Sequence, residues 1–158
     1  KVKTIISENV CNLDTKFFKA SEIKEKLEAL TGYKPITGIP NAEPIGPSKM
    51  FDVLAIVPCT GNTIGKLANG IIDTTVTMAA KSHLRNSRPL VVAIATNDGL
   101  GGSAKNIGMV MNYKNIYFAP YSQDDPIKKE KSLVFLEDYV IETIKNSLDG
   151  KQIQPVIR

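Results

Sequence analysis

An α/β fold built on a mostly parallel sheet is the class this sequence predicts, and three observations predict it. The runs FDVLAIV at 51–57 and LVVAIAT at 90–96, with a shorter one at 116–119, carry no polar alternation. Runs of that kind suit strands whose two faces are both covered. Helix-compatible stretches lie between them, and strand and helix alternate along the chain, the order that builds a doubly wound sheet. The 158 residues hold no repeat, low-complexity segment or linker, so residues 1–158 are expected to form a single domain.

The elements follow in order. Residues 2–7 (VKTIIS) are rich in β-branched side chains and read as a strand, with a polar loop after them over 8–16. Ser21 is placed to cap a helix over 22–30, which sets Ile23, Leu27 and Leu30 on one face and stops at Gly32. Residues 35–47 contain four prolines and read as an extended loop with a short strand near 36–39. The three apolar strands are then separated by helices expected over 63–68, 75–85 and 102–111. A long last helix over 133–148 ends at Gly150. The chain begins at Lys1 and runs straight into its first strand, so a segment upstream of it is expected to be missing.

Composition argues against several functions. The net charge is +4 and the lysines are spread out; one cluster, Lys128, Lys129 and Lys131, reads as a solvated face. Nucleic-acid binding calls for basic residues interleaved with exposed aromatics, and five Phe, five Tyr and no Trp do not supply that pattern. No run of about eighteen apolar residues suggests a membrane span. No basic segment followed by an apolar one opens the chain as a secretion signal. Two cysteines, Cys11 and Cys59, with one histidine, His83, make neither a disulfide framework nor a metal site.

Open α/β sheets bind ligands beyond the carboxyl ends of their strands. That rule selects Ser7 and the loop after it, 58–63, 96–102 and 120–125. The strongest of these is Pro58-Cys59-Thr60-Gly61-Asn62-Thr63, followed by Lys66, Ala68, Asn69, Gly70 and Asp73. It leaves a buried strand and opens a helix, whose first turn offers free N–H groups and a positive dipole end. Asn62 and the threonines can donate and accept, and Gly61 lets a flat ligand reach the backbone. The same residues equally suit a plain helix cap by Thr60 or Asn62.

The second stretch is TNDGLGGSA at 96–104, where Gly99, Gly101 and Ala104 fit a dinucleotide fingerprint. Its strand is internal, and the acidic residues at the right distance, Asp124 and Asp125, fall in a loop after another strand. A turn that admits substrate is therefore the preferred reading. His83 reads first as a packing or surface histidine, and Cys59 as a core or pocket-wall residue. Gln123-Asp124-Asp125-Pro126 suits either a turn ahead of the lysines or carboxylates at a pocket mouth.

The 58–63 segment and its following residues resemble the P-x-[ST]-x-N-T motif of flavoproteins related to phosphopantothenoylcysteine decarboxylases and flavin prenyltransferases. Further segments narrow the resemblance: Ala42-Glu43-Pro44-Ile45-Gly46-Pro47, Met78-Ala79-Ala80-Lys81 with Leu84-Arg85-Asn86, Ala95-Thr96-Asn97-Asp98, Lys114-Asn115-Ile116-Tyr117-Phe118, Gln123-Asp124-Asp125-Pro126, and Gly150-Lys151-Gln152-Ile153-Gln154-Pro155-Val156-Ile157. With these the chain resembles one branch of that family, the dipicolinate synthase B subunits of endospore-forming bacteria, over nearly its whole length.

The resemblance implies a Rossmann-like three-layer sandwich with a mostly parallel sheet, expected here to lack its first strand and helix. It implies bound FMN, homo-oligomers of trimer size or larger, and a cytoplasmic place in the mother cell during sporulation. It also implies a partner, the A subunit of dipicolinate synthase, that carries NAD(P). The two would share a role in oxidising dihydrodipicolinate, or its hydroxylated precursor, to dipicolinate. Carried over position by position, the resemblance puts Ser7, Thr60, Gly61, Asn62, Thr63, Thr96 and Asn97 against the cofactor. The 96–99 loop adds Asp98 and Gly99 to the expected ligand site, and from charge alone Lys66 or Lys105 is a cation expected to help hold a dicarboxylate substrate. Flavin prenyltransferases carry an arginine where Thr96 stands, and the decarboxylases carry a histidine upstream of their motif, where 41–51 has none. Those departures argue against peptidyl-cysteine decarboxylation. They also support the alternative of a non-catalytic scaffold or binding protein for the nicotinamide-dependent partner.

Overall fold

The computed structural model describes residues 1–15 and 18–158. The expected first loop therefore reaches, at Lys16, outside the described residues. A five-stranded sheet organises the fold. β1 (Leu54–Cys59) pairs in parallel with β2 (Leu90–Thr96), which pairs in parallel with β3 (Ile116–Phe118). β4 (Tyr121–Asp125) and β5 (Lys129–Phe135) form an antiparallel hairpin, and β5 returns to pair antiparallel with β2 at Ala95 and Thr96. β2 is thus the hub: β3 bonds its first half and β5 its last two residues.

This hub explains the burial of β2. Residues 90–94 are fully buried. Leu90, Val92 and Ile94 join a core with Ile64 and Ala68 of α4 (Gly61–Ala68), Ala80 of α5 (Thr75–Leu84), and Ile107 and Val110 of α6 (Ala104–Met111). Side chains alternate along a strand, so Val91 and Ala93 occupy the opposite face; α7 (Val140–Leu148) packs against β2 and β3. Each fully buried aliphatic side chain contributes about 1.5–3 kcal/mol, which makes β2 the main anchor of the fold.

The structure corrects several expected elements. The long helix over 133–148 does not form. Its first residues, Leu133, Val134 and Phe135, are strand, because β2 and β4 supply ladder partners for them. The helix begins only at Val140, after a 3₁₀ turn over Glu137–Tyr139. The lysine cluster belongs to this hairpin, and Lys129 pairs with Asp124 at 2.6 Å. Asp125 Oδ1 accepts the N–H groups of Ile127 and Lys128, so Gln123-Asp124-Asp125-Pro126 leads into a hairpin turn. The sheet is therefore mixed.

The N-terminal region also differs. Residues 2–7 make only a bridge between Ile5 and Ile36, because Ser7 turns the chain into the short helix α1 (Glu8–Asn12). Helix α2 spans Ala20–Thr31, and Asp14 rather than Ser21 receives its first free N–H, that of Ala20 at 2.9 Å. Gly32 ends it in the left-handed conformation, as expected. The proline-rich stretch folds as α3 (Ile39–Ala42) and a 3₁₀ turn over Glu43–Ile45. Ala42 and Ile45 are buried there against Ala79 of α5.

Candidate ligand-binding site

β1 and β2 end side by side, and the helices and loops that follow them border an open cavity of about 560 Å³. Its walls are Gly61 and Asn62 from the first turn of α4, Thr96, Asn97 and Asp98 after β2, and Gly102, Ser103 and Asn106 at the start of α6. The site is built on elements that the core already fixes, which is how a scaffold holds donors in place before a ligand arrives.

Its centre is Asp98. The carboxylate Oδ1 accepts hydrogen bonds from Thr96 Oγ1 at 2.5 Å and Ser103 Oγ at 2.8 Å. These two bonds, in that order of size, hold Asp98 below the usual carboxylate range, so it is charged at neutral pH. Gly61 is what lets α4 approach this cluster. A Cβ on Gly61 would stand 2.6 Å from Thr96 Oγ1, 2.9 Å from Ser103 Oγ and 3.1 Å from Asp98 Oδ1. One turn later Gly65 lies beside Asn106, whose Nδ2 would be 3.4 Å from a Cβ there. Two glycines four residues apart thus give α4 a bare stripe against α6.

The loop 97–103 is held from the hairpin side. Leu100 N donates to Lys131 O at 3.0 Å, and Ser132 Oγ donates to Asn97 Oδ1 at 3.5 Å. That leaves the Asn97 amide N–H₂ for a ligand. Gly99 lies under Leu133: a Cβ would come within 2.5 Å of Leu133 Cγ. The Asp98 carbonyl accepts from Gly101 N and Ser103 N and closes the loop on itself. A dinucleotide phosphate at this loop would meet the Asp98 carboxylate, so the glycine pattern is a turn.

The residues singled out in the sequence divide accordingly. Gly61, Asn62, Thr96, Asn97 and Asp98 come together around the cavity. Thr60 and Thr63 stand at its edge as a helix cap, with Thr60 Oγ1 3.4 Å from Thr63 N and 3.2 Å from Thr63 Oγ1. Ser7 is not among the lining residues and caps α1 by accepting from Val10 N at 3.3 Å. Gly99 is packed under β5, outside the cavity lining. Lys66 is ion-paired with Asp73 at 2.7 Å and lines a different, apolar cavity of about 370 Å³ with Leu67, Ile71 and Leu84. Lys105 is exposed on α6 and does not line the site.

Three lining residues are not singled out by the sequence: Gly102, Ser103 and Asn106. Asn106 follows Lys105 in the first turn of α6, where a polar residue is ordinary, so the sequence carries no distinct signal for it.

The other reactive side chains stand apart. Burial pushes the Cys59 thiol up to about 12, so it is an uncharged core residue. His83 is buried on α5 with Nε2 2.9 Å from Pro89 O, and desolvation lowers its pKa. Glu8 ties α1 to α5 by accepting from Thr75 Oγ1 and Thr75 N. Burial raises its pKa, but these bonds, its own backbone bond and the nearby Lys66 charge together outweigh that and lower it.

Comparison with known proteins places this geometry. Residues 1–135 match the family described as Flavoprotein. The chain is 43% identical over 157 residues to the B subunit of dipicolinate synthase from Bacillus subtilis, covering 99% of this chain and 78% of that one. It superposes on the crystal structure of the dipicolinate synthase B subunit from Bacillus halodurans with a TM-score of 0.91 at 42% identity, over 100% of this chain and 81% of that one. A shorter stretch of 45 residues, 28% of this chain and 25% of the other, is 49% identical to a flavin prenyltransferase of Thermoplasma acidophilum. The FMN-dependent cysteine decarboxylase SpaF shares the fold alone, with a TM-score of 0.57 at 20% identity over 81% of this chain and 74% of that one. The mixed α/β sandwich, the matched motif after β1 and near full-length similarity agree: the chain belongs to the flavoprotein family, among the dipicolinate synthase B subunits.

Proposed function

We propose that the cavity beyond β1 and β2 binds the isoalloxazine ring of FMN, and that the chain works with the nicotinamide-dependent A subunit of dipicolinate synthase. Together they would oxidise dihydrodipicolinate, or its hydroxylated precursor, to dipicolinate. The observation that carries this reading is the cavity itself. About 560 Å³ is enough for a flat tricyclic ring, and its walls are glycine backbone, side-chain amides and hydroxyls, and the Asp98 carboxylate. Asn106 supplies a further fit: its Oδ1 is buried with no hydrogen-bond partner among the described residues, so a ligand donor has an acceptor waiting. The lining suits the ring and not the phosphate, since no lysine or arginine among the described residues is part of it.

When bound, the flavin supplies redox chemistry; the chain's own residues hold and orient it. Asn62 and the Asn97 amide N–H₂ face the cavity as donors, and Gly61 gives the ring access to the backbone. Such an assembly would form homo-oligomers and stay in the cytoplasm of a sporulating mother cell, the setting its relatives' role implies.

The test is an absorbance titration of the protein with FMN. A flavin band that shifts and saturates supports the reading. Asn62→Ala should weaken binding about tenfold, the worth of one good hydrogen bond, with an unchanged melting temperature. An FMN spectrum indifferent to the protein would sink it.

One observation favours a second reading, a binding protein with no chemistry of its own. No residue of the cavity lining is poised as an acid or base near neutral pH: Asp98 is held ionised, and neither His83 nor Cys59 reaches the site. Flavin binding without turnover in the presence of the nicotinamide-dependent partner would select it.

A further inference from the structure

The carboxylate at the centre of the cavity changes what the cavity can take. Asp98 has no ion-pair partner among the described residues, and no cation among them lines the walls around it. It lies against Gly61 in the first turn of α4, where the helix would otherwise offer its free N–H groups and dipole to an incoming anion. The positive end of that helix is thus already answered by a built-in negative charge.

The hydrogen-bonding inventory points the same way. Asp98 Oδ1 is filled by two hydroxyl donors, whereas Oδ2 accepts from neither hydroxyl and lies on the Gly102 side of the cavity. Asn106 makes no side-chain hydrogen bond there either, and its Oδ1 is one of three buried polar side-chain atoms without a partner among the described residues. The two residues stand beside Gly61 and Gly65, one turn apart along the bare stripe of α4. Both present acceptors: the Asp98 carboxylate is exposed at the cavity, whereas the Asn106 oxygen is buried, and leaving a buried acceptor unmade is costly.

We infer that Asp98 and Asn106 form an acceptor pair that recognises a ring N–H of an uncharged planar heterocycle, and that this wall turns a dicarboxylate away. The inference rests on the reading of this cavity as the ligand site. It deepens that reading by assigning the neutral N–H edge of the ligand to the α4–α6 wall, so that any carboxylates must be held elsewhere.

The test uses the chain with three probes: lumiflavin, 3-methyllumiflavin and dipicolinate. Lumiflavin has the ring and its N3–H but no phosphate; the methylated form differs only at that N–H. Fluorescence titration should show the wild type binding lumiflavin at least tenfold more tightly than 3-methyllumiflavin, and Asn106→Ala should reduce that ratio several-fold. Calorimetry at low salt should show Asp98→Asn binding dipicolinate several-fold more tightly than the wild type does. Thermal melts confirm that both variants are folded.

Equal binding of the two flavins by the wild type would overturn the donor recognition while leaving the flavin reading intact. If neither flavin binds, the flavin reading fails and the donor recognition fails with it. A gain in Asp98→Asn then supports only the exclusion of a dicarboxylate by this wall, and no gain overturns that part too.

Discussion

Gly46→Ala should destabilise the protein by about 3 kcal/mol and lower its melting temperature by roughly 10 °C. The reason is backbone against backbone. A Cβ on Gly46 would stand 2.4 Å from the Ser82 carbonyl oxygen and 3.0 Å from its carbon, so no side chain can swing away to make room. The contact cannot simply open, because Asn86 Nδ2 donates to Gly46 O at 2.7 Å and ties the 3₁₀ turn to the end of α5. Around it Ala42, Ile45 and Ala79 are buried, so a shift there would loosen the small second core. Gly108→Ala is the control. That position is inside α6 with nothing within 4 Å of a Cβ, so the same substitution should stabilise by about 0.5–1 kcal/mol. Thermal melts of the two variants side by side check both signs.

Gly61→Ala should weaken FMN binding by at least tenfold, with a smaller loss of stability of about 1–2 kcal/mol. Here the new methyl meets three side-chain atoms rather than backbone: Thr96 Oγ1, Ser103 Oγ and Asp98 Oδ1. Those atoms are bonded to one another, so moving one disturbs the set. Either α4 retreats from the cluster or Asp98 rotates, and both change the cavity wall. A flavin titration paired with a melt separates the two effects. Intact binding in a folded Gly61→Ala protein would mean that the cluster does not shape the site.

Much of the fold is legible in the amino-acid sequence, and the residues show why. The β2 run LVVAIAT reads as a buried strand because all its positions are apolar or small, and it is one. Gly32 and Gly150 stop their helices in the left-handed conformation, a local property that sequence carries well. The hairpin is not legible, because Leu133, Val134 and Phe135 run into a genuine helix with no breaker between. Only their pairing with β2 and β4, a tertiary fact, makes them strand.

The site shows the same division. Gly61 and Asn62 follow a motif at a strand end, and Thr96 to Asp98 follow the next strand, so a topological rule finds them. Ser103 and Asn106 enter only because α6 crosses α4 at its two glycines, a contact between distant segments. Lys66 departs from its expected place for a related reason. Its position on the motif helix is right, but the helix turns it toward Asp73 and away from the cavity.

The most direct test of the ligand site is nuclear magnetic resonance of the side-chain amides during titration with FMN. Asn62, Asn97 and Asn106 line the cavity, whereas Asn112 and Asn146 donate to helix carbonyls of Gly108 and Glu142 away from it. The site described here predicts saturable shifts of the first three amides and none of the last two. Saturable FMN binding that leaves Asn62, Asn97 and Asn106 unmoved would contradict it.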